Sequence, residues 1–220
     1  MNRRDFSLSF LGTGLSAAAF FALPAARAQS PVAGAGPVEG RDFTVLPSAQ
    51  PPIAPGKIEV LEFFSYACPH CNAFEPTIEA WTKTLPGDVA LRRVPVPFLM
   101  NYDNFMHTYY ALETMGTVDA MQMKVFRAIH IDHQRLDKPE DIAAFVGKNG
   151  GDANKFLAAF KSFSVATSVA RAKKMVVDYK VESVPLLAVA GRYITSPSLA
   201  NGGPQALAVV DALVQRTRKG

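Results

Sequence analysis

The chain has 220 residues, 49% of them hydrophobic, with 15 Phe, 16 Pro, 2 Cys and a formal net charge of +4. That length and apolar share fit one globular domain, or one domain with a sizeable insertion, and exclude a disordered chain. Two cysteines are too few for a disulfide-dense scaffold or a four-cysteine zinc site, and so small a charge does not mark a nucleic-acid surface.

Residues 1–28 read as a cleavable secretory signal: a basic start at Arg3-Arg4, a short apolar run from Leu8 to Leu23, and a small-x-small ending at Ala26-Arg27-Ala28. The run is too short and too rich in Gly, Ser and Ala to span a bilayer stably. Arg3-Arg4 followed by Phe6 resembles a twin-arginine export signal, without the preferred neighbours at Asn2 and Ser7, so both general and twin-arginine export remain open. Cleavage after Ala28 removes Arg3, Arg4, Arg27 and Asp5 and leaves 20 basic against 18 acidic residues, a net charge of +2.

Residues 29–40 are rich in Gly, Ala and Pro and read as loose chain; Arg41–Leu46 is a short first strand, and Pro47–Pro55 a connector. Lys57–Phe64 is a nearly continuous apolar run, the pattern of a buried strand. Cys68-Pro69-His70-Cys71 follows at once and opens a helical pattern that runs to about Leu85, where Pro86-Gly87 stops it. Val89–Val96 is the next strand. The spacing then predicts helices near 103–115, 119–131, 139–148, 152–162 and 165–180, with Gly116, Gly147 and Gly150-Gly151 at helix ends. A strand at Leu186–Val189, a turn at Ala190-Gly191, a strand at Arg192–Ile194 and an amphipathic helix over Pro204–Arg216 close the chain.

A CxxC pair can bind metal, form a static bridge or cycle between dithiol and disulfide. The chain holds no further cysteine for a zinc site, and His107, His130 and His133 read as surface or helix-end residues. A bridge across so short a loop stabilises little. Placement favours redox cycling, because the pair follows a buried strand and opens a helix, where free backbone N–H groups point outward. The helix dipole contributes roughly 0.3–1 kcal/mol, up to about 2 in favourable geometry, and one pKa unit is about 1.36 kcal/mol. The dipole alone therefore accounts for about one unit, and a larger depression of the Cys68 pKa needs direct donors, for which the N–H groups near His70 and Cys71 and the His70 ring are the candidates. Whatever stabilises the thiolate stabilises the reduced form and makes the disulfide a stronger oxidant, so Pro69-His70 points to a disulfide donor, with Cys71 as the resolving thiol.

Glu62 interrupts the apolar strand before the cysteines. A buried carboxylate there needs a partner or a task, such as taking the proton of Cys71, and Arg93 on the next strand is a candidate partner. Val184-Pro185, just before a strand, is a candidate cis peptide whose Val184 backbone would pair with an extended substrate; an ordinary trans proline is the alternative. Phe98, Leu99 and Met100 are candidates for an apolar rim around the site.

The stretch Val60–Cys71, ending in Cys68-Pro69-His70-Cys71, resembles the active-site region of the DsbA family of periplasmic thiol:disulfide oxidoreductases, and Val184-Pro185 is similar to that family's cis-proline loop. The resemblance covers nearly all of the chain after the signal. It implies an α/β thioredoxin-like fold over 39–100 and 175–220, with an inserted all-helical domain over 101–174. It further implies that Cys68 is an exposed nucleophile and that His70 stabilises its thiolate. Glu62 is then a buried acid beneath Cys71, and Pro185 sits beside the substrate. The implied partners are unfolded exported proteins with free cysteines, and a DsbB-like quinone-linked membrane protein that reoxidises the enzyme. No cofactor, metal or nucleic acid is called for, and the protein is expected to be a periplasmic monomer. Two other functions remain as alternatives: a disulfide isomerase or reductase, and a non-catalytic peptide-binding chaperone on the same fold. The dimeric isomerases of the superfamily carry a separate N-terminal domain, for which the roughly thirty residues between Ala28 and Ile58 leave no room.

Overall fold

The computed structural model describes residues 36–52 and 56–219; the expected signal at 1–28, with Arg3-Arg4, lies outside the described residues. A five-stranded mixed sheet runs in the order β1-β5-β4-β2-β3. Its strands are β1 (Thr44–Val45), β2 (Ile58–Phe64), β3 (Val89–Pro95), β4 (Leu186–Val189) and β5 (Tyr193–Thr195). β2 and β3 are parallel, with Glu62 opposite Arg93, while β4 lies antiparallel on the other side of β2, with Leu187 opposite Glu62. Helix α1 (Pro69–Thr82) connects β2 to β3, and α7 (Gly203–Arg218) ends the described chain.

The sheet is covered on both faces, as the apolar run of β2 requires. Val60, Leu187 and Val189 pack with Phe74 and Ile78 of α1 and Leu207, Val210 and Leu213 of α7. Leu61, Phe63 and Ala188, whose side chains alternate to the opposite face, pack into a second cluster with the helical block. That block lies between β3 and β4: α2 (Tyr102–Thr114), α3 (Val118–His130), α4 (Pro139–Lys148), α5 (Ala153–Phe160) and α6 (Phe163–Asp178). Among the described residues no helix is long and apolar enough to cross a membrane.

The expected elements are all present, with shifted ends. The first strand shrinks from Arg41–Leu46 to Thr44–Val45 because the Asp42 carboxylate turns back to accept the Val38 N–H at 2.8 Å. Helix α1 stops at Thr82 rather than Leu85, where the Thr84 hydroxyl donates to the Trp81 carbonyl at 2.7 Å and closes the last turn. Helix α6 starts at Phe163 rather than 165 because Ser162 caps it, accepting the Val165 N–H. The β4–β5 turn places Ala190 (φ 51°) and Gly191 (φ 63°) in the left-handed region, at the centre of a turn that the Arg192 N–H closes by donating to the Val189 carbonyl at 3.0 Å. A Cβ on Gly191 would come 2.1 Å from the Gln50 carbonyl oxygen, so only glycine fits there.

Candidate active site

β2 delivers the chain from the middle of the sheet to a tight turn, Ser65-Tyr66-Ala67, in which the Cys68 N–H donates to the Ser65 carbonyl at 3.0 Å. Helix α1 begins immediately afterwards, with Pro69 in its first turn, where a missing N–H is no loss. Cys68 is the N-cap: its backbone is extended (φ −87°, ψ 115°) and its Sγ accepts the Cys71 N–H at 3.3 Å. A sulfur therefore occupies the position that a Ser or Asp oxygen usually fills, and both cysteines are thiols.

The Cys68 pKa is lowered to about 6. The largest cause is the hydrogen bond from the Cys71 thiol; burial opposes it, and the N–H groups of Cys71 and His70, with a smaller electrostatic contribution from the His70 side chain, add to it. Direct donors carry the depression, as the magnitudes anticipate. Cys71 behaves in the opposite way. Burial, its bond to Cys68 and the Cys68 charge push its pKa far up, and the Glu62 charge adds to this.

One expectation needs correction. Cys68 is not an openly exposed nucleophile, for it is only 4% accessible, against 0% for Cys71. The Val184–Pro185 bond is cis, and it sets the Val184 carbonyl 3.4 Å from the Cys68 Sγ, covering the thiol. The Val184 carbonyl is thus engaged by Cys68 rather than open. His70 is exposed beside them. It joins Phe74, Val184, Pro185 and Pro197 in lining a groove of about 400 Å³.

Glu62 is fully buried. Its Oε2 accepts from Arg93 Nε at 3.0 Å, while its Oε1 has no hydrogen-bond partner. Burial raises its pKa to about 8 against the opposing pull of Arg93, and the Glu75 charge adds to the rise. Arg93 also donates to Glu75 at 2.8 Å and reaches Glu79 at 3.5 Å. Burial works against the guanidinium charge, but the Glu62 and Glu75 carboxylates outweigh it and hold Arg93 protonated.

Sequence reasoning found Cys68, Pro69, His70, Cys71, Glu62, Val184 and Pro185, all of which the fold brings to this end of the sheet. His107 sits elsewhere, its ring tilted against that of Phe160. The residues it missed lie on α1 and α3. Glu75 accepts from Gln122 at 3.4 Å, Gln122 in turn accepts from the Tyr66 hydroxyl at 2.6 Å, and His130 Nε2 lies 2.8 Å from the Tyr66 carbonyl oxygen. The helical block thereby holds the turn that carries Cys68. Glu75 had a signal: Cys71, Phe74, Glu75 and Ile78 share the buried face of α1 at helical spacing.

Comparison with known proteins agrees with this geometry. The family model described as a DSBA-like thioredoxin domain matches residues 98–213. The thiol:disulfide interchange protein DsbA of Burkholderia cepacia is 38% identical over 217 residues, covering 98% of each chain, and that of Bordetella parapertussis is 39% identical over 220 residues, covering 100% of each. Among solved structures, Pseudomonas aeruginosa DsbA superposes with a TM-score of 0.78 at 39% identity, covering 82% of this chain and 94% of that one. The DsbA of Xylella fastidiosa gives 0.77 at 30%, covering 84% and 99%. A dithiol at a helix start, on a sheet of this topology and with likeness running the full length of its relatives, makes this chain a member of the DsbA family and a thiol:disulfide oxidoreductase.

Proposed function

We propose that the chain works in the oxidising direction, passing the Cys68–Cys71 disulfide to exported proteins. A substrate thiolate attacks Cys68 Sγ, a mixed disulfide forms, and the bond to Cys71 breaks. Cys71, whose thiol strongly resists ionisation, leaves with a proton, for which Glu62, a carboxyl with an unpaired buried oxygen whose charge acts on Cys71, is the source in this reading. A second substrate thiolate then attacks the substrate sulfur of the mixed disulfide and expels Cys68 as a thiolate. The substrate loses two electrons and two protons, and the enzyme disulfide takes up both electrons. His70 and the first turn of α1 steady the departing thiolate, while Val184 and Pro185 lie along the substrate backbone.

The observation that carries this reading is the Cys71 N–H donating to Cys68 Sγ at the helix start, which favours the reduced enzyme. Titrating the thiolate by ultraviolet absorbance and equilibrating the protein with glutathione test it. A transition near pH 6 and strong bias toward the dithiol are expected. An ordinary thiol near ~8.5 and a potential like that of thioredoxin would instead assign a reductase.

The same reading places the work in the periplasm, after export by a signal over 1–28, and assigns reoxidation to a DsbB-like, quinone-linked membrane protein. It divides the chain into a thioredoxin-like part, 39–100 and 175–220, and a helical insertion, 101–174.

A further inference from the structure

Buried carboxyls outnumber buried cations behind the active-site cysteines. Glu62 and Glu75 are both 0% accessible and share one buried cation, Arg93. The guanidinium donates to Glu62 Oε2 through Nε at 3.0 Å and to Glu75 Oε1 through a terminal nitrogen at 2.8 Å. Glu79, which it reaches at 3.5 Å, keeps part of its side chain in water. Two ionised carboxylates against one cation would leave a net charge in the core, so at neutral pH the two buried carboxyls hold one proton between them. We infer that Gln122, contributed by α3 of the helical block, is a positioning residue that fixes this proton on Glu62 and the charge on Glu75.

Donors decide between the two carboxyls. Both oxygens of Glu75 receive one: Oε1 from Arg93, and Oε2 from Gln122 Nε2 at 3.4 Å. That is the bonding of an ionised carboxylate, which only accepts. Glu62 has a single donor, and among the described residues its Oε1 has no hydrogen-bond partner. A bare anionic oxygen is far costlier to bury than a neutral hydroxyl, so the proton belongs on Glu62. The Gln122 amide is also held against turning over and offering its oxygen to Glu75. Its Oε1 accepts from the Tyr66 hydroxyl at 2.6 Å, and burial pushes the Tyr66 pKa up, so the hydroxyl keeps the proton it donates. Gln122 lies on the buried face of α3 with Met121, Val125 and Phe126. Orientation thus passes from the active-site turn, through Tyr66 and Gln122, to Glu75.

The electrostatics agree in sign. The Gln122 bond favours the Glu75 carboxylate against the burial that raises its pKa, and the Glu75 charge adds to the rise that keeps Glu62 protonated. The other groups facing Glu62 are Arg93 from β3, Glu79 and Cys71 from α1, Tyr66 from the turn and Tyr109 from α2, while β4 sets the apolar Leu187 opposite it. Arg93 donates to both carboxyls and Gln122 to one, so Gln122 carries the asymmetry.

NMR of the reduced protein, with isotope-labelled glutamate carboxyl carbons, reads where the proton sits. Spectra of Glu62→Gln and Glu75→Gln assign the signals, and the Cys68 step near pH 6 is read separately by ultraviolet absorbance. Glu62 is expected to titrate near pH 8, and Glu75 to read as a carboxylate at pH 7. Gln122→Met, similar in volume and without a donor, should lower the Glu62 midpoint by about one pH unit, a tenfold change, and move the Glu75 signal toward its protonated form. Glu75→Gln should also lower the Glu62 midpoint, and adding Gln122→Met to it should give no further shift, because no charge is left to place. Equal shifts from Gln122→Met with and without the Glu75 carboxyl would show that Gln122 acts through packing and overturn the inference. A Glu62 midpoint that does not move, or a parent protein in which Glu75 carries the proton, overturns it as well.

The consequence for exchange rests on the proposed role of Glu62 as the proton source for Cys71. At pH 8 the protonated share of Glu62 would fall from about a half to about a tenth. Attack of glutathione on the disulfide form should then release Cys71 about fivefold more slowly in Gln122→Met, and at the parent's rate at pH 5. A shifted Glu62 midpoint with an unchanged rate overturns Glu62 as the proton source and leaves the placement of the proton by Gln122 intact.

Discussion

Arg93 holds Glu62 at 3.0 Å inside a site where the cation is 7% accessible and the carboxylate 0%. Their strands are parallel and the two residues face each other in register, so the pair follows directly from the β2–β3 pairing. The same guanidinium serves Glu75 at 2.8 Å. Removing it strands two buried carboxyls, which is far more costly than exchanging a whole ion pair for apolar groups. Glu62, with its pKa of about 8, is largely protonated at pH 7, so Arg93→Met is expected to lower stability there by about 1–3 kcal/mol through the carboxyl groups left without their donor, measured by urea denaturation. The loss should grow as pH rises past 8, where Glu62 ionises beside Arg93 in the parent but would be a buried, unpaired charge in the variant. Arg93→Lys should fall in between, because a compact ammonium cannot reproduce the guanidinium fork. A cost that stays flat from pH 6 to pH 9 would mean that Arg93 does not set the charge of Glu62.

Glu62 itself limits stability. Its folded pKa is raised to about 8, chiefly by burial. A raised carboxyl favours the fold below the unfolded value of roughly 4.3 and works against it as pH rises from there through the folded value. Glu62→Gln keeps an acceptor for Arg93 and removes the titration. The variant should therefore be more stable than the parent by about 1 kcal/mol or more at pH 7, with the gain growing between pH 5 and pH 8 and absent near pH 4. Thermal melts across that range test the sign. A gain that shrinks as pH rises would overturn the raised pKa. The same variant should slow release of Cys71 in thiol exchange if Glu62 supplies its proton.

The hydroxyl of Tyr66 donates to Gln122 at 2.6 Å, both side chains being buried. Tyr66→Phe leaves the Gln122 oxygen without its short bond and should cost about 1–3 kcal/mol. Removing both partners, as Tyr66→Phe with Gln122→Leu, should cost less than the sum of the single changes, because neither the Tyr66 hydroxyl nor the Gln122 oxygen is then left without the other, while the loss of the Gln122 bond to Glu75 is common to both Gln122 variants and cancels in the cycle. A double-mutant cycle in urea reads the coupling. Strict additivity would show that the contact does not bind α3 to the active-site turn.

Local chemistry was legible where one stretch of chain contained all of it. The apolar run of β2, Pro69 at the start of α1, Ala190-Gly191 in the hairpin and the glycines after α2 and α4 each carry their own signal. The dithiol was legible for the same reason, since Cys68 as N-cap needs only Cys71 and the helix it opens. What escaped depends on chain far away in sequence. Gln122 and His130 look like ordinary polar positions of an amphipathic helix, and only the packing of α3 against the turn after β2 turns them toward Tyr66. Burial of Cys68 was likewise invisible, because its cover is the Val184 carbonyl of a distant loop.

The Cys68 thiolate makes the stability of the reduced protein depend on pH in a way the oxidised protein cannot share. Its folded pKa is lowered to about 6. For a depressed acid, the contribution is fully present above the unfolded value, ~8.5, and is lost as pH falls through the folded value. Cys71 has a raised pKa, so between pH 5 and 8 it is neutral both folded and unfolded and contributes no slope. The reduced protein should therefore gain stability over the oxidised protein as pH rises from 5 to 8, by about 1 kcal/mol at pH 7. Paired melts of the two forms at each pH measure it directly. Cys68→Ser should remove this contribution and leave the pH dependence of the oxidised protein, and His70→Ala should reduce it slightly, in proportion to the smaller place of His70 among the causes. A reduced form that loses ground to the oxidised form as pH rises would show that the helix start does not stabilise the thiolate, and the oxidising direction of the exchange would fall with it.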